Sequence, residues 1–213
     1  AKGGAGVVIS KDQAFSVTIG DSIFADIDVG DALTLTATLA GGGALPAWLA
    51  FDAGTRTFSG TPGNADVGSF EVSITATDLA GASVSDTLVL AVANVNDAPT
   101  VALPIADKSA VEGSAFILNI PQSAFADVDV GTVLSYSAAL GDGSPLPDWL
   151  ELLAGTRTLL GTPTQDDVGA IDIRVTASDG ALSAFDTFTL VVADANLAPF
   201  AVQTVAHQEA TED

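Results

Sequence analysis

The chain contains no cysteine and no methionine, only one histidine and one tyrosine, and 6 basic against 27 acidic residues, for a net charge of −21 over 213 residues. Without cysteine there is no disulfide scaffold, no zinc ribbon and no thiol catalysis. With so few Lys and Arg, nucleic acid is excluded as a partner, because binding phosphates needs clustered positive charge. His207 has no counterpart in the internal repeat described below and reads as an exposed loop residue. A Ser-His-Asp triad is therefore not available. No catalytic residue is assigned, and the chain is not expected to be an enzyme. Long apolar runs are missing as well: stretches such as Leu88 to Ala93 have strand length, far short of the roughly 20 residues of a membrane helix. No membrane insertion is expected, and Ala1-Lys2-Gly3-Gly4 shows no apolar signal core.

What is there is apolar: 48% of the residues are hydrophobic, too many for a disordered acidic chain. Sliding the sequence by 101 positions reveals a repeat. Phe24-Ala25-Asp26-Ile27-Asp28-Val29-Gly30 falls on Phe125-Ala126-Asp127-Val128-Asp129-Val130-Gly131. Leu45-Pro46-Ala47-Trp48-Leu49 falls on Leu146-Pro147-Asp148-Trp149-Leu150, and Gly54-Thr55-Arg56-Thr57 on Gly155-Thr156-Arg157-Thr158. Gly60-Thr61-Pro62, Asp66-Val67-Gly68 and Asp78 likewise recur as Gly161-Thr162-Pro163, Asp167-Val168-Gly169 and Asp179. The pattern predicts one domain over 1–98, a second over 99–199, and the start of a third repeat over 200–213, where Glu212 falls opposite Glu112.

Within each repeat the apolar residues alternate with period two. Phe70, Val72, Ile74 and Ala76 interleave with Glu71, Ser73, Thr75 and Thr77, and Ile171, Ile173, Val175 and Ala177 do the same in the second copy. Further strands read from Ala14 to Ile19, Leu33 to Leu39 and Ser85 to Ala93, with Gly, Pro, Asn or Asp marking turns about every ten residues. This predicts an all-β chain of two antiparallel β-sandwiches. Trp48 and Trp149, each between Pro-x and Leu, read as core or near-core residues rather than sugar-stacking platforms, and Arg56 and Arg157 as exposed turn residues.

The acidic residues gather in loops: Asp26 and Asp28, Asp127 and Asp129, Asp66 and Asp167, Asp78 and Asp179. Two linkers, Asn94-Val95-Asn96-Asp97-Ala98-Pro99 and Asp194-Ala195-Asn196-Leu197-Ala198-Pro199, add more oxygen ligands. Calcium takes six to eight such oxygens from carboxylates, amides, carbonyls and water. Together the Asp-x-Asp loop, Leu-Pro-x-Trp-Leu, Gly-Thr-Pro, Asp-Val-Gly, Ala-x-Asp and the Asn-Asp-Ala-Pro linker resemble the dystroglycan-type cadherin-like domains. These are also described as immunoglobulin-like repeats and occur in tandem in very large bacterial surface proteins. The resemblance runs from about residue 11 to 199.

It implies tandem cadherin/Ig-like Greek-key sandwiches with calcium, Ca2+, at the domain junctions. The implied ligands of the complete junction are Asp66, Asn94, the Val95 carbonyl, Asn96, Asp97, Asp127, Asp129 and Asp179. Glu112, Asp167, Asp194 and Asn196 would serve a following repeat, and Asp26, Asp28 and Asp78 a preceding one. Lys11 stands where the resemblance places a ligand Glu, removing that ligand and adding a charge that repels calcium, which Asp12 would offset. The implied function is a calcium-rigidified stretch of the stalk of a secreted or surface adhesin. Its partners would be neighbouring repeats of the same chain and cell-surface polysaccharide or protein, with the chain a monomer. The alternative is a carbohydrate-binding accessory module of a secreted polysaccharide-degrading enzyme.

Overall fold

In a computed structural model, residues 6–28 and 32–196 are described. Residues 200–213, with His207 and Glu212, lie outside them, as does Leu197 in the second linker. The chain forms two compact units: Ala1–Asp97 together with Val128–Gly131, and Ala98–Asp127 together with Thr132–Asp213.

The first unit contains β1 (Gly6–Ser10), β2 (Phe15–Thr18), β3 (Thr34–Leu39), β4 (Leu49–Asp52), β5 (Thr57–Gly60), β6 (Gly68–Thr77) and β7 (Ser83–Ala93). Four strands form one sheet in the order β1-β7-β6-β3, and three form the other in the order β2-β5-β4. The period-two pattern of β6 does what a half-buried strand requires. Val72, Ile74 and Ala76 are buried, while Glu71 on the other face is exposed. They meet Leu35, Leu88 and Leu90 of their own sheet and Leu49, Phe58 and Ile19 from the other side of the core. Burying each such Leu, Ile, Val or Phe side chain stabilises the unit by roughly 1.5–3 kcal/mol.

The second unit repeats the plan with β8 (Thr100–Val101), β9 (Lys108–Val111), β10 (Phe116–Asn119), β11 (Phe125–Ala126), β12 (Ser135–Leu140), β13 (Leu150–Leu153), β14 (Thr158–Gly161), β15 (Gly169–Ser178) and β16 (Ser183–Ala193). Its sheets run β12-β15-β16-β9 and β10-β14-β13, with β8 and β11 as an added pair. Phe116, Ile120, Leu150, Leu159, Ile173, Val175, Phe188 and Leu190 belong to its core.

The pairings are antiparallel except at one edge of each larger sheet. There β1 lies parallel to β7, and β9 parallel to β16. The Gly-Thr-Pro turn is fixed by contact. A β-carbon on Gly60 would sit 1.9 Å from the Trp48 carbonyl oxygen, and one on Gly161 would sit 1.8 Å from that of Trp149. No side chain fits where β5 and β14 pass these carbonyls.

Both tryptophans are half-buried against the cores of their units. Trp48 packs edge-on against Phe15 and Phe70, with ring centroids 6.1 and 5.4 Å apart.

Candidate functional site

The parallel edge pairs decide which loops meet. In the first unit β1 and β7 register Ser10 with Ala93, so Lys11 and Asn94 leave the sheet side by side. The Lys11 N–H continues the ladder by donating to Ala93 O at 3.0 Å. The next N–H, of Asp12, donates to Pro62 O at 2.7 Å and ties this corner to the Gly-Thr-Pro turn. Asp12 takes a left-handed conformation, φ +59°, where the second unit has Gly113 at +68°. Asp tolerates that region better than most residues. Just beyond Pro62, a single 3-10 turn (Asn64–Asp66) closes with the Gly63 N–H donating to Asp66 Oδ2 at 2.9 Å.

Lys11 points into this corner and is completely buried. Its Nζ donates to Asn64 Oδ1, to Asp97 Oδ2 and, at 2.7 Å, to Asp129 Oδ1. Asp129 comes from the 128–131 segment that groups with the first unit. Its Oδ2 accepts the Asp97 N–H at 2.8 Å, and the Asn94 side chain also bonds to it. Burial alone would push the Lys11 amine towards neutrality. The hydrogen bonds and charges of Asp129 and Asp97 outweigh it and hold the ammonium pKa above its ordinary value. Asp129 shifts the opposite way: the Lys11 hydrogen bond and the Asp97 N–H hold its carboxyl below the ordinary range against burial.

An ammonium has three N–H donors, and here each has an oxygen. A calcium ion among Asn64, Asp97 and Asp129 would have to share those oxygens with a fixed positive charge. These residues do not fit the ion. The ion pairs of Lys11 run to Asp97 and Asp129, and not to Asp12, which the sequence suggests as the offsetting charge.

The second unit carries different chemistry in the same frame. Val111 registers with Ala193, the Glu112 N–H donates to Ala193 O at 3.0 Å, and Glu112 and Asp194 leave the sheet together. Glu112 is 7% exposed and has no ion pair among the described residues. With the Gln165 amide turned to present its nitrogen, that nitrogen donates to Glu112 Oε2 at 2.9 Å and Oε1 at 3.2 Å. Gln165 occupies the position of Asn64 and opens the turn Gln165–Asp167. Asp167 Oδ2 accepts from the Thr164 hydroxyl at 2.7 Å and the Thr164 N–H at 2.8 Å. These bonds, with help from Trp149, hold its pKa below the ordinary value against burial.

Of the ligands that the resemblance implies, the first unit therefore brings Asn94, Asp97 and Asp129 together around Lys11. Asp66 caps its turn nearby, the exposed Asn96 amide donates to Asp97 O at 3.1 Å, and Val95 is exposed. Asp127 and Asp179 belong to the second unit. Asp179 Oδ1 accepts the N–H groups of Ala181 and Leu182 at 2.6 and 2.7 Å in the β15–β16 turn. Asp78 Oδ1 accepts the Ala82 N–H at 2.8 Å in the matching turn, and exposed Asp26 accepts the Asp28 N–H at 2.9 Å. Asp194 and Asn196 are exposed. Among the described residues, no three His, Cys, Asp or Glu side chains gather as a metal site.

Sequence reasoning passes over Asn64 and Gln165. The available signal is an amide side chain at the same repeat position in both copies. The arginines are also less exposed than their turn suggests. Arg56 is half-buried and pairs with Asp21 at 2.6 Å, and Arg157 lies 5.8 Å over the Tyr136 ring.

The chain matches the family model described as "Putative Ig domain" twice, over residues 5–93 and 98–193. Among solved structures it is similar to the human CDH23 EC21-23 fragment, at 18% identity and TM-score 0.58, over 88% of this chain and 72% of that one. It is similar to the Protocadherin GammaB4 extracellular domain at 20% identity and TM-score 0.61, over 90% of this chain and 33% of that one. It also aligns with the endo-fucoidan hydrolase MfFcnA4 of glycoside hydrolase family 107 at 22% identity and TM-score 0.38, over 86% of this chain and 27% of the hydrolase. This chain thus spans about a quarter of the hydrolase's length. No curated protein sequence matches it.

Proposed function

Since the chain belongs to the Putative Ig domain family, we propose that it is a spacer from the tandem-repeat region of a secreted or cell-surface protein, of the bacterial adhesin kind. The observation that carries this reading is the repetition itself. Two units of one plan each enclose a core of their own, and the candidate ligand acids Asp66, Asp78, Asp167 and Asp179 lie in turns that both copies repeat. Such repeats serve length and presentation, with neighbouring repeats as their first partners.

Calcium enters this reading at the second unit. Glu112 is a buried carboxylate without a countercharge among the described residues, and a buried anion calls for a cation. Glu112, Asp167, Asp194 and Asn196 offer the hard oxygens that calcium takes, and the ion would complete its shell from outside the described residues. Asp26, Asp28 and Asp78 are a second set by the same resemblance. Calorimetric titration with calcium is expected to give binding from which Glu112→Gln removes the contribution of the second unit. Absence of binding to the unaltered chain would sink the calcium part. Affinity electrophoresis in polysaccharide gels, with calcium and with chelator, tests the spacer role. Calcium-independent retardation would favour the carbohydrate-binding module instead.

A further inference from the structure

A lysine with no exposed surface is rare unless its charge is answered, and Lys11 has none. Its position is one that the second copy fills with Glu112, a residue of opposite charge in the same backbone frame. In both copies the residue directly follows an edge strand parallel to the last strand, donates its N–H to the last residue of that last strand, and faces an amide side chain, Asn64 or Gln165. The backbone is therefore indifferent to the sign of the side chain. What differs is the set of groups around the tip.

Around Lys11 those groups are oxygens. Asn64 Oδ1, Asp97 Oδ2 and Asp129 Oδ1 take its three hydrogens, and the Asp97 N–H and the Asn94 side chain supply further donors to Asp129. We propose that the Lys11 ammonium is the resident cation of this cluster, built into the chain where the resemblance calls for calcium, and that the first unit holds residues 128–131 without metal.

Three features support this. The donor count is complete: three N–H groups meet three acceptors, so the ammonium needs no water or further ligand. The site is also charge-selected, because its two carboxylates face one fixed positive charge that a divalent ion would have to displace or tolerate. And the lysine is held in place from both ends. The backbone bond to Ala93 O fixes its root, and the bond from the next N–H, of Asp12, to Pro62 O fixes its direction. A tethered cation has no concentration dependence, so this cluster stays formed where calcium is scarce. The inference is independent of calcium at Glu112 and stands or falls on a different group of atoms.

The test uses the whole chain and reads the cluster locally. The Asp97 amide donates to Asp129 Oδ2, so its hydrogen exchange reports whether the cluster is closed. In the unaltered chain, slow exchange at Asp97 and a slowly exchanging Lys11 Nζ signal are expected in chelator, with neither changed by millimolar calcium. Lys11→Met is expected to lower the melting temperature of the first unit by roughly 10 °C, since it leaves the buried Asp129 carboxylate without its countercharge, and to speed Asp97 exchange at least tenfold. Lys11→Glu is expected to make both readouts calcium-dependent. Calcium-dependent Asp97 exchange in the unaltered chain would overturn the proposal, as would a Lys11→Glu variant indifferent to calcium. If Lys11→Met does not fold, the Nζ signal of the unaltered chain decides alone: a rapidly exchanging ammonium, or one shifted by calcium, overturns it.

Discussion

Asp52 closes the β4–β5 turn by accepting the N–H groups of Gly54 at 2.8 Å and Thr55 at 3.0 Å. Its counterpart in the second repeat is Leu153, which offers only its backbone carbonyl to Thr156 at 3.2 Å. The Thr55 N–H, then the Gly54 N–H, hold the Asp52 carboxyl below its ordinary range. A folded pKa lower than the unfolded value of about 3.9 means that the charged form stabilises the turn. That contribution is present above the unfolded pKa and is lost as pH falls through the folded one. NMR titration of the Asp52 carboxyl is expected to give a midpoint below the ordinary value, and Asp52→Asn is expected to remove that part of the acid sensitivity of the first unit. A midpoint at or above the ordinary value would contradict this. Single positions thus diverge between copies, Asp52 from Leu153 as Lys11 from Glu112, while the backbone beneath them does not.

The strands of the smaller sheets show why the backbone is conserved in kind. β5 runs between β2 and β4, and β14 between β10 and β13, each with a fully buried side chain, Phe58 or Leu159, aimed at the core. At their far ends Gly60 and Gly161 face the carbonyls of Trp48 and Trp149 at distances that admit no β-carbon. The constraint is contact and not conformational freedom, since the obstacle is a backbone atom of a paired strand's approach. Gly60→Ala and Gly161→Ala are therefore each expected to cost about 2 kcal/mol or more in urea unfolding of the affected unit. A cost within about 0.5 kcal/mol, as for an ordinary surface change, would show that the strands part easily there.

At the scale of the whole chain, the two units are not equally self-sufficient. The core of the second lies entirely within residues 101–192. The first includes Val128–Gly131, a segment whose chain neighbours belong to the second, and its buried Lys11 depends on Asp129 from that segment. Residues 98–196 expressed alone are thus expected to unfold near the transition of the second unit in the full chain. Residues 1–97 alone are expected to melt several degrees below the first unit in the full chain, because Lys11 loses one of its two carboxylates. Equal melting of residues 1–97 in both settings would mean that the 128–131 segment contributes nothing. Calorimetry on the two fragments and the full chain makes the comparison.

The amino-acid sequence by itself determined the all-β character, the repeat and the inward faces of strands such as β6 and β15. Alternation with period two is a local property, and burial follows it residue by residue: Val72, Ile74 and Ala76 read as buried and are buried. It also marked Asn94, Asp97 and Asp129 as oxygen donors that could serve a cation. Which cation meets them was decided by tertiary structure alone. The partners of Lys11 lie 53, 86 and 118 residues along the chain, and they converge only because β1 pairs in parallel with β7 and the 128–131 segment folds onto the same unit. A lysine in a sequence carries a charge but no direction. By the resemblance Lys11 is a missing ligand that repels calcium; in the folded first unit its ammonium is enclosed by three oxygens.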